Sequence, residues 1–351
     1  MLSELPRNFA VTALGIALAL TAVLFLYSIG LRLAHILHDR KQRQLRDRWW
    51  PIFSAATLAG NRVSKDRPIL PRAKPPASVL REWCRFRSYV RGDCCSALEA
   101  LATEMGLLSV AQKLFRRGSF RHQLLGAQAL GFLKDRTSWS SIGERLDHPN
   151  LSMSITAATA LVAIDPEKAI TQILPLAARR QNWPRNHVGR LLHLAGPRIA
   201  SDNLCRAIAE ADNDTACFLL QFYETAHVSR IDSLVAQLLI TRSNPRLLSA
   251  ALKAVRGHLP AEIVERCARH KVWFVRMQTA NLLGRFGRRE DYRLLEPMLC
   301  DKEWWVRYRA AQAITRLPFL GPNSLRKLRD RQTDRFGQEI MVQALAEAGL
   351  Q

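Results

Sequence analysis

The amino-acid sequence predicts an all-α protein in which stacked helix hairpins form a solenoid behind one transmembrane helix. Three observations carry that expectation. The segment starting Trp273-Phe-Val-Arg returns 31 residues later as Trp304-Trp-Val-Arg, with Val275 matched by Val306, Arg276 by Arg307 and Ala280 by Ala311. The same register can be followed through Ala127, Ala158, Gly189, Leu220, Ala251, Ala280, Ala311 and Val342, in steps of 31 residues with a single step of 29. Separately, Phe9 to Leu31 is a run of 23 residues without a charged side chain. Self-similarity at such a period marks units that each pack only on their neighbours. Such chains usually offer a long surface to a partner and not a pocket to a substrate.

Residues 1–8 are read as a short extracytoplasmic N-terminus and residues 9–31 as the membrane helix. At about 1.5 Å per residue, a run of that length covers the roughly 30 Å hydrocarbon core with some tilt. A cleaved signal peptide is the competing reading, but it needs a basic start and a shorter apolar core. Here Glu4 opposes Arg7, and Arg32, Arg40, Lys41, Arg43, Arg46 and Arg48 follow where a cleavage site would stand. Basic residues flanking a span stay on the cytoplasmic side. The N-terminus is therefore expected outside and the repeats in the cytoplasm. Seven scattered cysteines, an odd number, fit reduced thiols in such a compartment.

Residues 32–89 are read as a basic juxtamembrane helix and a proline-containing tether. The formal charge of +22 is uneven, with much of it in residues 32–91. A basic segment beside a bilayer is drawn to anionic lipid by about 1 kcal/mol per close charge, so residues 32–91, and the six basic residues named above in particular, are assigned to the membrane surface. The helix is expected to end at Trp50-Pro51, because proline cannot continue it. Pro68, Pro71, Pro75 and Pro76 then suit an extended spacer. Trp49, Trp50, Ile52 and Phe53 suit either the membrane interface or the face of the first repeat.

Residues 90–351 are read as the solenoid, with eight or nine units of about 31 residues. In the clearest unit Val275, Thr279, Leu282, Leu283 and Phe286 share one helical stripe, and Tyr292, Leu295, Met298 and Leu299 repeat the pattern. Gly287 and the polar residues after it separate the two helices. Asp301 stands ahead of the next helix, where its side chain can accept a backbone N–H. A hairpin of this size cannot bury its own apolar faces, so stacking supplies the core.

The pattern Asp301-x-x-Trp-x-Val-Arg-x-x-Ala-Ala-x-Ala-Ile resembles the HEAT repeat, in the short form also found in phycobilin lyases. The resemblance is clearest from Phe274 to Leu317 and faintest between Gly189 and Gly257. It implies a right-handed α-solenoid of HEAT-like hairpins. The order of anchor, basic tether and HEAT units resembles membrane-anchored HEAT proteins of the bacterial inner membrane. Some of these accompany membrane glycosyltransferases that make exopolysaccharide, so the resemblance implies a membrane-associated protein partner.

Catalytic patterns are sparse. His35 and His38 have no thiol and no acidic residue but Asp39 beside them, Cys84 with Cys94-Cys95 lacks zinc spacing, and His187 and His193 fall near opposite helix faces. No His-Glu dipeptide, phosphate-cradling glycine loop or nucleophile elbow occurs. No cofactor or metal is expected, and the protein is read as a non-enzymatic scaffold. The alternatives are a HEAT-like lyase or DNA glycosylase, or a nucleic-acid-binding solenoid. Nucleic acid is disfavoured because the charge is densest beside the bilayer. Trp273, Arg276, Trp304 and Arg307 recur with the period and are assigned to the repeat framework. Trp305, Tyr308 and Arg309 do not recur, and these residue types are enriched at binding hot spots, so they are the candidate partner contacts.

Overall fold

The computed structural model describes residues 5–59, 77–180, 182–225 and 228–350, and every regular element among the described residues is helical. The chain divides into two compact units, Met1–Ser138 and Trp139–Gln351.

In the first unit, α1 (Leu5–Ala59) is one helix of 55 residues with Pro51 in its interior. The expected break at Trp50-Pro51 does not occur. An interior proline costs about 3 kcal/mol, yet Trp49 and Phe53 flank it at 5% and 0% exposure. Burying a large apolar side chain contributes about 1.5–3 kcal/mol, enough to carry the helix across. α1 packs on α2 (Ala77–Tyr89) and α3 (Cys94–Glu104). Trp50 meets Phe86 of α2 edge-on at 5.5 Å. The aromatic group at 49–53 therefore belongs to this packed unit, which excludes a membrane-surface position for Trp49 and Phe53. Residues 60–76, part of the expected tether with its four prolines, lie outside the described residues. Trp83 is fully buried and its indole N–H donates to the Leu98 carbonyl at 3.2 Å. α4 (Leu107–Arg117) and α5 (Phe120–Phe132) close the unit.

Further up α1 the environment changes. Val23, Leu24, Phe25, Leu26 and Tyr27 are each more than 60% exposed. Successive residues turn by about 100°, so these five present apolar surface around the whole helix. Among the described residues no single helix is long and apolar enough to cross a membrane, and Leu18–Gly30 forms a shorter apolar stretch. Much of the expected span at 9–31 carries side chains outside the described ones.

The second unit opens with α6 (Trp139–Gly143) and continues as helices in two alternating layers. One layer holds α7 (Leu151–Ile164), α9 (Arg185–Ala195), α11 (Asn213–Leu219), α13 (Pro245–Ala254), α15 (Trp273–Phe286), α17 (Trp304–Thr315) and α19 (Arg335–Glu347). The other holds α8 (Pro166–Arg179), α10 (Pro197–Glu210), α12 (Val228–Thr241), α14 (Ala261–Ala268), α16 (Tyr292–Met298) and α18 (Pro322–Arg331). Helices of one layer pack on their neighbours, as in α7 on α9, α8 on α10, α10 on α12, α13 on α15, α15 on α17 and α17 on α19. Helix starts follow from local chemistry. Asn150, Asp165, Asp212, Asn244 and Asp334 each accept a backbone N–H of the following turn. Pro166, Pro197 and Pro245 occupy first-turn positions where no N–H is needed.

The register holds in the core, where Ala158, Ala251, Ala280 and Ala311 are fully buried. It departs at two places. Leu220 falls in a 3-10 segment, Leu220–Thr225, that kinks at Phe222, so no regular hairpin forms there. Val342 is exposed, while Ile340, Met341, Ala344 and Leu345 are buried.

Candidate interaction surface

The α15–α17 region shows what the repeated arginine does. Arg276 is buried and grips Asp301 through two parallel bonds, Nε to Oδ2 at 2.6 Å and Nη2 to Oδ1 at 2.7 Å. Its Nη1 donates to the His270 and Lys271 carbonyls at 2.8 and 3.1 Å. Arg307 repeats the second half of this arrangement, with Nη1 on the carbonyls of Asp301 and Lys302 at 2.8 and 3.2 Å. It lacks the first half, because Gln332 stands 31 residues after Asp301. Arg307 instead lies over the Phe336 ring at 5.2 Å, and its buried Nε has no partner. Asp301 also accepts the Glu303 N–H at 3.0 Å, one residue before α17 begins.

Arginines elsewhere in the unit do similar work. Arg180 donates to the carbonyls of Leu146 and His148, Arg242 to those of Ala209 and Ala211, Arg266 to that of Leu239, and Arg285 to that of Val255. Carbonyls near helix C-termini lack intrahelical donors, and a cation there also complements the helix dipole. Part of the strong basic balance is therefore architectural. The sequence carries a cue at Arg276 and Arg307, at Arg285, which Arg316 matches 31 residues later, and at Arg180 and Arg242, which stand two periods apart, but none at Arg266.

On α17, Val306, Ala310, Ala311, Ala313 and Ile314 form the buried stripe. The remaining circumference brings the aromatic residues together. Trp304 stacks on Tyr308 at 5.0 Å with the rings 9° from parallel. Trp305 meets Trp304 edge-on at 4.7 Å and Tyr308 at 6.4 Å. Arg309 lies 5.6 Å from the Tyr308 ring, and its Nη1 donates to Gln312 Oε1 at 2.8 Å. Gln312 Nε2 donates to the Tyr308 hydroxyl at 2.7 Å and to Glu347 Oε2 at 3.2 Å, and the Tyr308 hydroxyl donates to that carboxylate at 2.9 Å. This bond to Glu347 raises the Tyr308 hydroxyl's pKa. Bonds from Gln343, Tyr308 and Gln312 lower that of Glu347. Both groups thereby keep the protonation states that the network requires.

The three candidate contacts thus share one face, with unequal freedom. Trp305 is 48% exposed, whereas Tyr308 and Arg309 are half-buried and tied into the network. Trp273 and Trp304, the recurring tryptophans of the repeat framework, are exposed at 36% and 42%. Each is the first residue of its helix, and helical side chains lean toward the N-terminus. The lean carries both rings past the stacked faces. Gln312 and Glu347 were not foreseen, because Glu347 reaches the site only through the packing of α19 on α17.

Arg32, Arg40, Arg43 and Arg48 of the basic run are exposed and Arg46 is half-buried, 5.6 Å from the Trp50 ring centroid. The Lys41 side chain lies outside the described residues. The cysteines are free thiols, and burial pushes that of Cys84 far up. Among the described residues no group of three or more His, Cys, Asp or Glu could hold a metal.

The HEAT-repeat family model matches residues 292–317, which cover α16 and α17 and end at Leu317. The chain therefore carries a HEAT repeat at the segment that bears the aromatic face. No curated protein matches the sequence. Among solved structures, the chain is similar to the crystal structure of an engineered protein from the Northeast Structural Genomics Consortium. The two are 14% identical, with a TM-score of 0.21, over 69% of this chain and 96% of that one. At that score the likeness carries no argument.

Proposed function

We propose that the protein is a non-catalytic scaffold, tethered to a membrane by α1, whose α17 face binds a protein partner. The observation that carries the reading is the exposed Trp304–Trp305 pair, held from below by Tyr308, Arg309, Gln312 and Glu347. Tryptophan contributes large contact area at little entropic cost, and a pre-ordered patch loses little freedom on binding. HEAT repeats generally mediate protein–protein interaction, which fits this use. The tether reading rests on apolar residues around the whole circumference of α1, since a helix apolar on all sides needs lipid or protein around it. The basic run that follows favours a cytoplasmic position for the repeats. The bacterial inner membrane, and a partner that is a membrane enzyme of exopolysaccharide synthesis, follow from the resemblance of the chain's parts. Against a nucleic-acid reading count Arg180, Arg242, Arg276 and Arg307, whose donors are engaged by backbone carbonyls.

The test is in-cell photocrosslinking from position 336, beside Arg307, in the full chain. A specific protein adduct is expected, and Trp305→Ala should weaken that association by about thirtyfold, the size of a hot-spot loss. Recovery of nucleic acid alone, or an adduct indifferent to Trp305→Ala, would overturn the reading. The tether has its own check. Introducing Leu20→Arg with Leu24→Arg should shift the protein from the membrane fraction toward the supernatant, since each charge at mid-span costs about 2.5–3.5 kcal/mol. Unchanged fractionation would contradict a spanning α1.

A further inference from the structure

We infer that the first unit contains a discrete phosphate-binding cleft between α1 and α2. The cleft has a volume of about 320 Å³ and is lined by Asp39, Gln42, Arg43 and Arg46 of α1 and Arg85 of α2. Three guanidinium groups around one opening repel one another, and a single carboxylate leaves the lining positive. Arginine donates hydrogen bonds and accepts none, so its complement is an anion rich in oxygen acceptors. Phosphate suits the planar fork because two of its oxygens can take parallel bonds from one guanidinium.

The arrangement is built and not merely a charged stretch of helix. Arg46 is half-buried over the Trp50 ring, and Trp50 is set in place by Phe86 and Tyr89 of α2 at 5.5 and 6.3 Å. Arg85 comes from 39 positions beyond Arg46, so only the packing of α2 against α1 brings the two to one opening. Arg43 lies three residues before Arg46, on the same helical face. The cleft is larger than a bare phosphate requires. Asp39 and Gln42 complete its lining. The ligand class is thus a small phosphate ester, either the headgroup of a phospholipid or a free alcohol phosphate. The cleft does not depend on α1 spanning a membrane, since both of its walls lie in the packed part of the unit.

The full-length protein in neutral detergent is titrated by calorimetry with glycerol 3-phosphate. In parallel it is reconstituted in phosphatidylcholine nanodiscs with and without phosphatidylglycerol, whose bound lipid is counted by native mass spectrometry. Saturable binding is expected in one arm. Calorimetric binding assigns a soluble ester, and retention of phosphatidylglycerol alone assigns a lipid headgroup. In that arm Arg85→Gln should weaken binding at least tenfold. Arg116→Gln, which removes the same charge from an exposed position of α4 outside the cleft and outside residues 32–91, should change it less than about twofold. Equal losses in the two variants would reduce the cleft to diffuse attraction and overturn the proposal, as would no saturable binding in either arm. Arg85 is exposed, so unchanged melting is expected and separates lost binding from lost folding. Reconstitution of Arg85→Gln into nanodiscs reports on the anchor separately.

Discussion

Replacing Asp301 by alanine is expected to destabilise the second unit by about 3 kcal/mol, the low end of the cost of orphaning a buried ion pair. Both side chains of the Arg276–Asp301 pair are about nine-tenths buried, at 10% and 11% exposure. The substitution removes two short bonds at once and leaves a guanidinium with little water to replace them. The cost stays at the low end because Arg276 keeps the His270 and Lys271 carbonyls. Arg307 illustrates that remnant, since it sits on two carbonyls with no facing carboxylate. For a unit of this size about 3 kcal/mol corresponds to a drop in Tm of roughly 6–12 °C. Neighbour-only packing predicts that the loss is local, so hydrogen exchange should quicken in α15–α17 before it does in α7–α9. A Tm within 1–2 °C of the parent protein would mean that stacking and not the ion pair sets the register.

The same pair predicts an acid response. Burial alone would push the Asp301 carboxyl up, but bonds from Arg276 and from the Glu303 amide outweigh it and hold the group below its ordinary value. A carboxyl depressed in the folded state stabilises fully above its unfolded pKa, near about 3.9. That stabilisation is lost as pH falls through the lower folded value. The parent protein should therefore lose stability more steeply below about pH 4 than Asp301→Asn, which has no such proton to take up. Parallel slopes for the two proteins in urea midpoints across that range would remove Asp301 from the acid response.

The repeat was legible wherever one residue type had one task. Ala280 and Ala311 must be small because a neighbouring helix crosses there, and Val306 and Leu283 must be apolar because both faces around them are covered. The register therefore survives in sequence. It fades where the backbone changes course, as at the 3-10 segment that begins at Leu220, and at α19, where Val342 is exposed. The site was half legible. Trp305, Tyr308 and Arg309 stood out by not recurring, and one helix face collects all three. Glu347, which holds Tyr308 and Gln312, comes from 39 residues beyond Tyr308 and has no local signal. The reading of Pro51 as a helix end failed for a related reason. Local propensity stops the helix there, while Trp49 and Phe53 are buried by contacts with α2 and α3 that no short window contains.

Two glycines in helix interiors should respond to alanine with opposite signs. By propensity alone each Gly→Ala change stabilises an interior helical position by up to about 1 kcal/mol. At Gly189 in α9 nothing opposes this, because an added Cβ meets only Phe222 Cδ1 at 4.0 Å, an ordinary contact. Gly189→Ala should raise stability by most of that amount. At Gly284 in α15 an added Cβ would lie 2.8 Å from both Cα and Cβ of Ala313 in α17. Neither atom is at the end of a flexible side chain, so relief requires the two helices to move apart. Overpacking of this kind costs about 1–3 kcal/mol, which exceeds the propensity gain, and Gly284→Ala should be destabilising by about 1–2 kcal/mol net. Denaturation midpoints of the two variants, measured side by side, should move in opposite directions from the parent. The displacement would also fall on α17, so Gly284→Ala should weaken partner crosslinking from position 336 while Gly189→Ala leaves it intact. If both midpoints rose together, α15 and α17 would have to be farther apart than the Gly284–Ala313 approach implies, and the aromatic face would lose the rigid support attributed to it.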